Sequence, residues 1–148
     1  MVLKLVGTGH CWYTDKDGNK IHETEKHNAI VTVGFDFVRQ CLTNSANRPS
    51  VLGYVAIGSG STATSIGMTE LESESARIAG TWEYDEDGKI FKVTATFPAG
   101  SVTGNDIQEA GVFNASSGGI MFDRLVYDRS IPVLLDLDFT QEITFELA

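Results

Sequence analysis

The sequence predicts an all-β domain, a mainly antiparallel β-sandwich or jelly-roll-like fold with one α-helix packed on it, and three observations carry that reading. The C-terminal run alternates, with Leu135, Leu137, Phe139, Ile143, Phe145 and Leu147 at odd positions and Asp136, Asp138, Thr140, Glu142, Thr144 and Glu146 at even ones. A period of two sends one set to a core and the other to water. Asp17-Gly18, Asp87-Gly88 and Ser117-Gly118-Gly119 lie between runs rich in aromatic, β-branched or alternating residues, which is the turn chemistry of hairpins. A single segment, beginning at Thr32, spaces its apolar residues as a helix does, and no βαβ alternation comes after it. About seven to nine strands of this kind make a sandwich.

In chain order, Met1 to Val6 is an apolar arm ending at Gly7-Thr8-Gly9. It is too short and lacks the cleavage region of a signal peptide, so it reads as a strand or docking arm, with Val2, Leu3, Leu5 and Val6 as partner-contact residues. Residues 1–27 then comprise this arm and a hairpin in which Gly9 to Tyr13 pairs with Lys20 to Thr24. A turn centred on Asp17-Gly18 places His22 opposite Tyr13, with Cys11 and Thr24 next on that face. Thr32 is expected to cap a helix whose stripe is Val33, Phe37, Val38, Cys41 and Leu42, ending in polar residues before Pro49. Tyr54 to Ser65 reads as a buried strand entering a small-residue turn, with a short helical turn near Thr69 to Glu74 beyond it. Arg77 to Tyr84 should pair with Lys89 to Phe97, and Asp106 to Asn114 with Ile120 to Tyr127. Pro98 and Pro132 fall in connections, where a missing N–H harms no ladder. Within the last strand Gln141 interrupts the apolar face, as at a bulge or an edge.

At 148 residues and 16.0 kDa the chain suits one domain, 1–148. A net charge of -9 with a pI near 4.6 argues against nucleic-acid and anionic-membrane partners, because both depend on clustered Lys and Arg. No apolar run approaches the roughly 20 residues that span a bilayer. Cys11 and Cys41 are too few for a disulfide framework and sit among apolar neighbours, where thiols pack as small hydrophobes, consistent with assembly in a cytosol.

The residues do not assemble into a catalytic constellation, so the expectation is a non-enzyme without cofactor or metal. Gly58-x-Gly60-x-x-Ala63 mimics a dinucleotide fingerprint, yet the stretch after it is rich in small and hydroxyl residues and then acidic, whereas a phosphate loop needs a helix N-terminus directly after the glycines. Ser59 between two glycines is not a nucleophile elbow, and His10, His22 and His27 all lie near the N-terminus. Cys11 with His22 offers two ligands where structural zinc takes four. Asp15-Lys16-Asp17-Gly18-Asn19 lacks the glycine and glutamate positions of a calcium loop. Asp136 and Asp138 share a wet strand face that offers no pocket to separate their pKa values, as a glycosidase pair requires. Trp12, Tyr13, Trp82 and Tyr84 suit either sheet packing or stacking on sugar rings, the latter making a carbohydrate-binding module.

The order of pieces from Asn28 to Leu147 is more specific than any one motif. It runs through Asn28-Ala-Ile-Val-Thr-Val-Gly-Phe-Asp-Phe-Val-Arg-Gln-Cys-Leu, Tyr54-Val-Ala-Ile-Gly-Ser-Gly, Met68 to Arg77, the strand Lys89 to Phe97 and Ile107-Gln-Glu-Ala-Gly-Val-Phe-Asn-Ala-Ser-Ser-Gly-Gly. This series resembles a family of small virion structural proteins of tailed bacteriophages, labelled tail-fibre proteins and also plausible as head decoration proteins. The resemblance implies a virion subunit, assembled in the host cytoplasm, that binds other virion proteins (the major capsid protein or tail proteins) and forms a homo-oligomer, a trimer being favoured. It carries over no catalytic or ligand residue. A single globular domain without fibrous repeats cannot build a long shaft, which tilts the expectation toward a capsid decoration, or cement, protein over a tail-fibre or tail-tip role.

Overall fold

The computed structural model of the protein describes residues 2–148. Its elements are β1 (Leu5–Thr14), β2 (Lys20–His27), β3 (Ala29–Ile30), α1 (Thr32–Thr43), β4 (Tyr54–Gly58), β5 (Glu74–Ala79), β6 (Thr81–Tyr84), β7 (Ile90–Phe97), β8 (Ile107–Phe113), β9 (Asp123–Ile131) and β10 (Asp138–Leu147). They form two five-stranded antiparallel sheets, ordered β2-β1-β10-β7-β6 and β3-β9-β8-β4-β5. The chain is thus an all-β sandwich with one helix.

The alternating C-terminal sequence becomes the central strand of the first sheet. β10 lies between β1 and β7 in unbroken register with both, and its odd residues Phe139, Gln141, Ile143 and Phe145 are buried. The alternation takes effect only from Asp138, because Leu134 to Leu137 form a turn that leaves Leu135 exposed. Gln141 marks neither a bulge nor an edge. It is fully buried, with Oε1 accepting from the Tyr127 hydroxyl at 2.9 Å and Nε2 donating to the Glu142 carbonyl at 3.0 Å, so the core accommodates its amide without an unmade bond.

Between the sheets, Tyr13, Phe97, Phe139 and Phe145 from one face meet Val55, Ile57, Val112 and Leu125 from the other. A second, smaller core covers the outer side of the second sheet. There Leu71, from the long connection between β4 and β5, joins Ala56, Phe113 and Met121. Covered on both faces, β4 and β8 are buried along nearly their whole length.

Several local expectations are corrected. In the first hairpin Cys11 does face Thr24, but a bulge between Cys11 and Tyr13 sets Ile21 opposite Tyr13 and leaves His22 at φ 53. The run from Arg77 to Tyr84 is two strands. β5 pairs with β4 in the second sheet, and the chain crosses at Gly80 so that only β6 pairs with β7. Gly80 permits the crossing, since a Cβ there would lie 2.5 Å from Val93 Cγ2. Thr69 to Glu74 forms no helical turn. Thr32 is the first helical residue rather than the cap; Val31 takes the cap position without a side-chain acceptor, and the Thr32 N–H donates to the Ile66 carbonyl at 2.8 Å instead. Leu42, placed on the helix's apolar stripe by spacing, is exposed.

Candidate functional site

Helix α1 is seated by its smallest residue. Gly34 is buried against β9's approach, where a Cβ would collide with the Phe122 carbonyl oxygen, and this closeness lets Phe37 reach Phe122 with ring centroids 5.9 Å apart. Phe122 in turn meets Phe145 at 5.3 Å. The helix therefore rests where the two sheets meet, and its outer flank remains open. Asp36 faces outward and binds Arg39 and Gln40, whose hydrogen bonds hold its carboxyl below the usual range.

Beside the helix runs an apolar groove made of two adjoining depressions of about 370 Å³ each, which share Phe37, Leu52 and Phe91. One is closed by Val51, Trp82 and Tyr84, the other by Leu3, Leu5 and Phe35. Trp82 is fixed there by its Nε1 donating to the Leu52 carbonyl at 2.8 Å. Around the rim Val51 is 82%, Tyr84 73%, Leu3 69% and Phe35 53% exposed. Scattered exposed hydrophobes are ordinary, whereas several lining one groove mark a contact surface.

The expected contact residues divide. Val2 and Leu3 are exposed, and Leu3 lines the groove. Leu5 and Val6 begin β1 and pair with Leu147 and Glu146 of the same chain, so strand pairing there is internal; Leu5 packs on the core while Val6 is half exposed. Met1 lies outside the described residues. Sequence reasoning missed Val51, which sits in a polar loop, and read Tyr84 as sheet packing or a sugar platform. Of the four rings singled out, Trp12 is buried with Lys20 Nζ 3.9 Å above it, and Tyr13 is buried with its hydroxyl donating to the Pro132 carbonyl at 2.7 Å. Tyr84 alone is open.

The glycine loop after β4 does face an anion, the chain's own Glu109. The Gly60 and Ser73 N–H groups donate to Oε1 at 3.0 and 2.7 Å, while the Glu72 N–H and Arg124 Nε donate to Oε2 at 3.0 and 2.8 Å. A Cβ at Gly58 would lie 2.2 Å from the Ser73 carbonyl oxygen, and one at Gly60 2.6 Å from Oε1 and from Glu72 Cβ, so both positions favour glycine. The sequence carries these two charges on β8 and β9 among other polar residues, so nothing in it sets Glu109 and Arg124 apart. Cys11 and His22 are not brought into one site: Cys11 is fully buried, with burial pushing its thiol up to about 12, and His22 is exposed at the bulge.

Comparison with family models, curated proteins and solved structures yields no match.

Proposed function

We propose that the protein is a non-enzymatic subunit of a tailed-phage virion that attaches to the particle as a capsid decoration protein, with the groove beside α1 and the Val2–Leu3 segment as its contact surface. The observation that supports this is the clustering of Leu3, Phe35, Val51 and Tyr84 around one apolar depression. Buried aromatic anchors carry most of the energy of protein contacts, and Tyr is among the residues that do so best. The sequence resemblance supplies the particle and favours a trimer; the groove supplies chemistry suited to docking on another protein. The proposed partners are the major capsid protein or, for a tail-fibre or tail-tip role, tail proteins.

Val51→Glu and Tyr84→Glu test this. Both side chains are exposed, so each variant should fold with stability within about 0.5 kcal/mol of the parent. Each should lose co-sedimentation with purified particles by tenfold or more, about 1.4 kcal/mol. Parent-like attachment of both variants would overturn the assignment of this surface.

A further inference from the structure

One free edge of the first sheet borders the apolar groove. β6 pairs with β7 on one side alone, and beyond it the Asp85 N–H donates to the Ile90 carbonyl at 3.1 Å. Antiparallel pairing alternates, so the main-chain groups of Thr81 and Glu83 also turn toward β7, while those of Gly80, Trp82 and Tyr84 turn away from it. The Gly80 N–H is taken up by the Gly53 carbonyl at 2.9 Å. The N–H and C=O groups of Trp82 and Tyr84 meet no main-chain partner among the described residues and stand open to a further strand. The same two residues send their side chains into the groove, where Trp82 lies 5.7 Å from Phe91 between ring centroids. A strand added here would lay every second side chain beside Trp82 and Tyr84, in the apolar depression.

Charge sets the character of that strand. Glu83, Asp85, Glu86 and Asp87 follow along β6 and its turn, with only Lys89 and Lys92 against them. Lys92 is itself divided between Glu83 at 3.5 Å and Glu142 at 3.0 Å. Opposite charges pair favourably across a ladder and like charges do not, so this edge favours Lys or Arg between and beyond the apolar positions of an incoming strand. A second copy of the chain supplies no such strand. Its N-terminal arm is held from Lys4 onward by the exchange with Ala148, β6 laid on β6 would oppose acid with acid, and β2 offers Ile21 as its one apolar residue. We propose that β6 takes up an extended segment of another protein as an added strand, with apolar side chains at alternate positions in the groove and Lys or Arg between them. This rests on the groove being the contact surface and states how the partner is held there. Charge selects the segment, whereas main-chain bonds and apolar burial hold it.

Titration of the full chain with the end-capped peptide Lys-Val-Lys-Ile-Lys-Val-Lys, followed by NMR and amide hydrogen exchange, tests this. The peptide should slow exchange at the Trp82 and Tyr84 amides and leave Thr81 and Glu83, already turned to β7, unchanged. Its counterpart with Glu in place of Lys should bind about tenfold more weakly or worse, 1.4 kcal/mol. N-methylation of one alternate set of peptide amides should abolish binding and that of the other set should not, because only one set faces β6. Tyr84→Ala and Tyr84→Pro both remove the ring, and proline alone removes the N–H, so the proline variant should bind about tenfold more weakly than the alanine one. Should the proline variant fail to fold, the methylated peptides carry the same test. No slowing at Trp82 and Tyr84 with about 1 mM peptide, equal binding of the Glu peptide, or equal effects of the two methylated sets would each overturn the added strand. The groove reading is decided separately, by attachment of Val51→Glu to particles.

Discussion

Asp123 carries a carboxyl into the interior without a cation beside it. It is fully buried and accepts from the Val112 N–H at 2.9 Å and from Asn28, and burial pushes its pKa up to about 7. The unfolded carboxyl titrates near its ordinary value of 3.8, so between that pH and about 7 the folded chain holds a proton that the unfolded chain has released. Its contribution to stability is present below the unfolded pKa and is lost as pH rises through the folded one, at no more than about 1.4 kcal/mol per pH unit. Asp123→Asn removes the titration, and a flip of Asn28 would turn its open Oδ1 toward the new amide. Denaturant unfolding from pH 5 to 8 should show the parent losing stability relative to Asp123→Asn across this window, with the difference flattening above it. A constant difference between the two would mean that Asp123 keeps the same charge throughout.

Among the elements, β10 is paired on both edges and buries one face. Phe139 meets Tyr13 at 5.1 Å and Phe97 at 6.3 Å, whereas its neighbour Asp138 lies exposed and accepts the Ala99 N–H at 2.8 Å. Phe139→Asp should unfold the domain, since it loses about 3–5 kcal/mol of packing and buries a charge besides. Asp138→Lys should cost about 1 kcal/mol. Thermal melts of the two variants separate these outcomes, and equal losses would mean a different register. This strand was legible because its period alone decides which residues face inward. Hairpin turns were legible too, since Gly18, Gly88, Gly118 and Gly119 sit at positive φ, which glycine adopts without strain. The crossing at Gly80 was hidden because the runs on either side of it read as one strand, and sequence does not say which sheet a strand joins. The groove was hidden for a related reason: Leu3, Val51 and Tyr84 are far apart in the chain and meet only once α1 is seated against Phe122. The Glu109–Arg124 pair was hidden too, because β9 also carries Asp123, Asp128 and Arg129 and nothing in the spacing tells a buried pair from two solvated faces.

Across the whole molecule, acidity and the apolar groove would act in opposite directions on the proposed assembly. Two chains of charge -9 brought together repel one another, and about 1 M salt shortens the reach of that repulsion to about 3 Å without weakening apolar burial. Attachment to particles should therefore survive 1 M sodium chloride and yield to mild denaturant before the subunit unfolds; quantitative release by salt, with particles intact, would make the contact ionic. The ends of the fold bear on how such experiments can be built. Lys4 and Ala148 exchange backbone hydrogen bonds, N–H to carbonyl, at 2.8 and 2.9 Å, and Leu3 and Leu147 both line the groove. A fluorescent domain or affinity peptide joined at either terminus would thus emerge beside the proposed docking surface and obstruct it. Joining the termini through a short linker and reopening the chain at the exposed Asp17-Gly18 turn gives a circularly permuted subunit whose label points elsewhere, with every strand of both sheets retained.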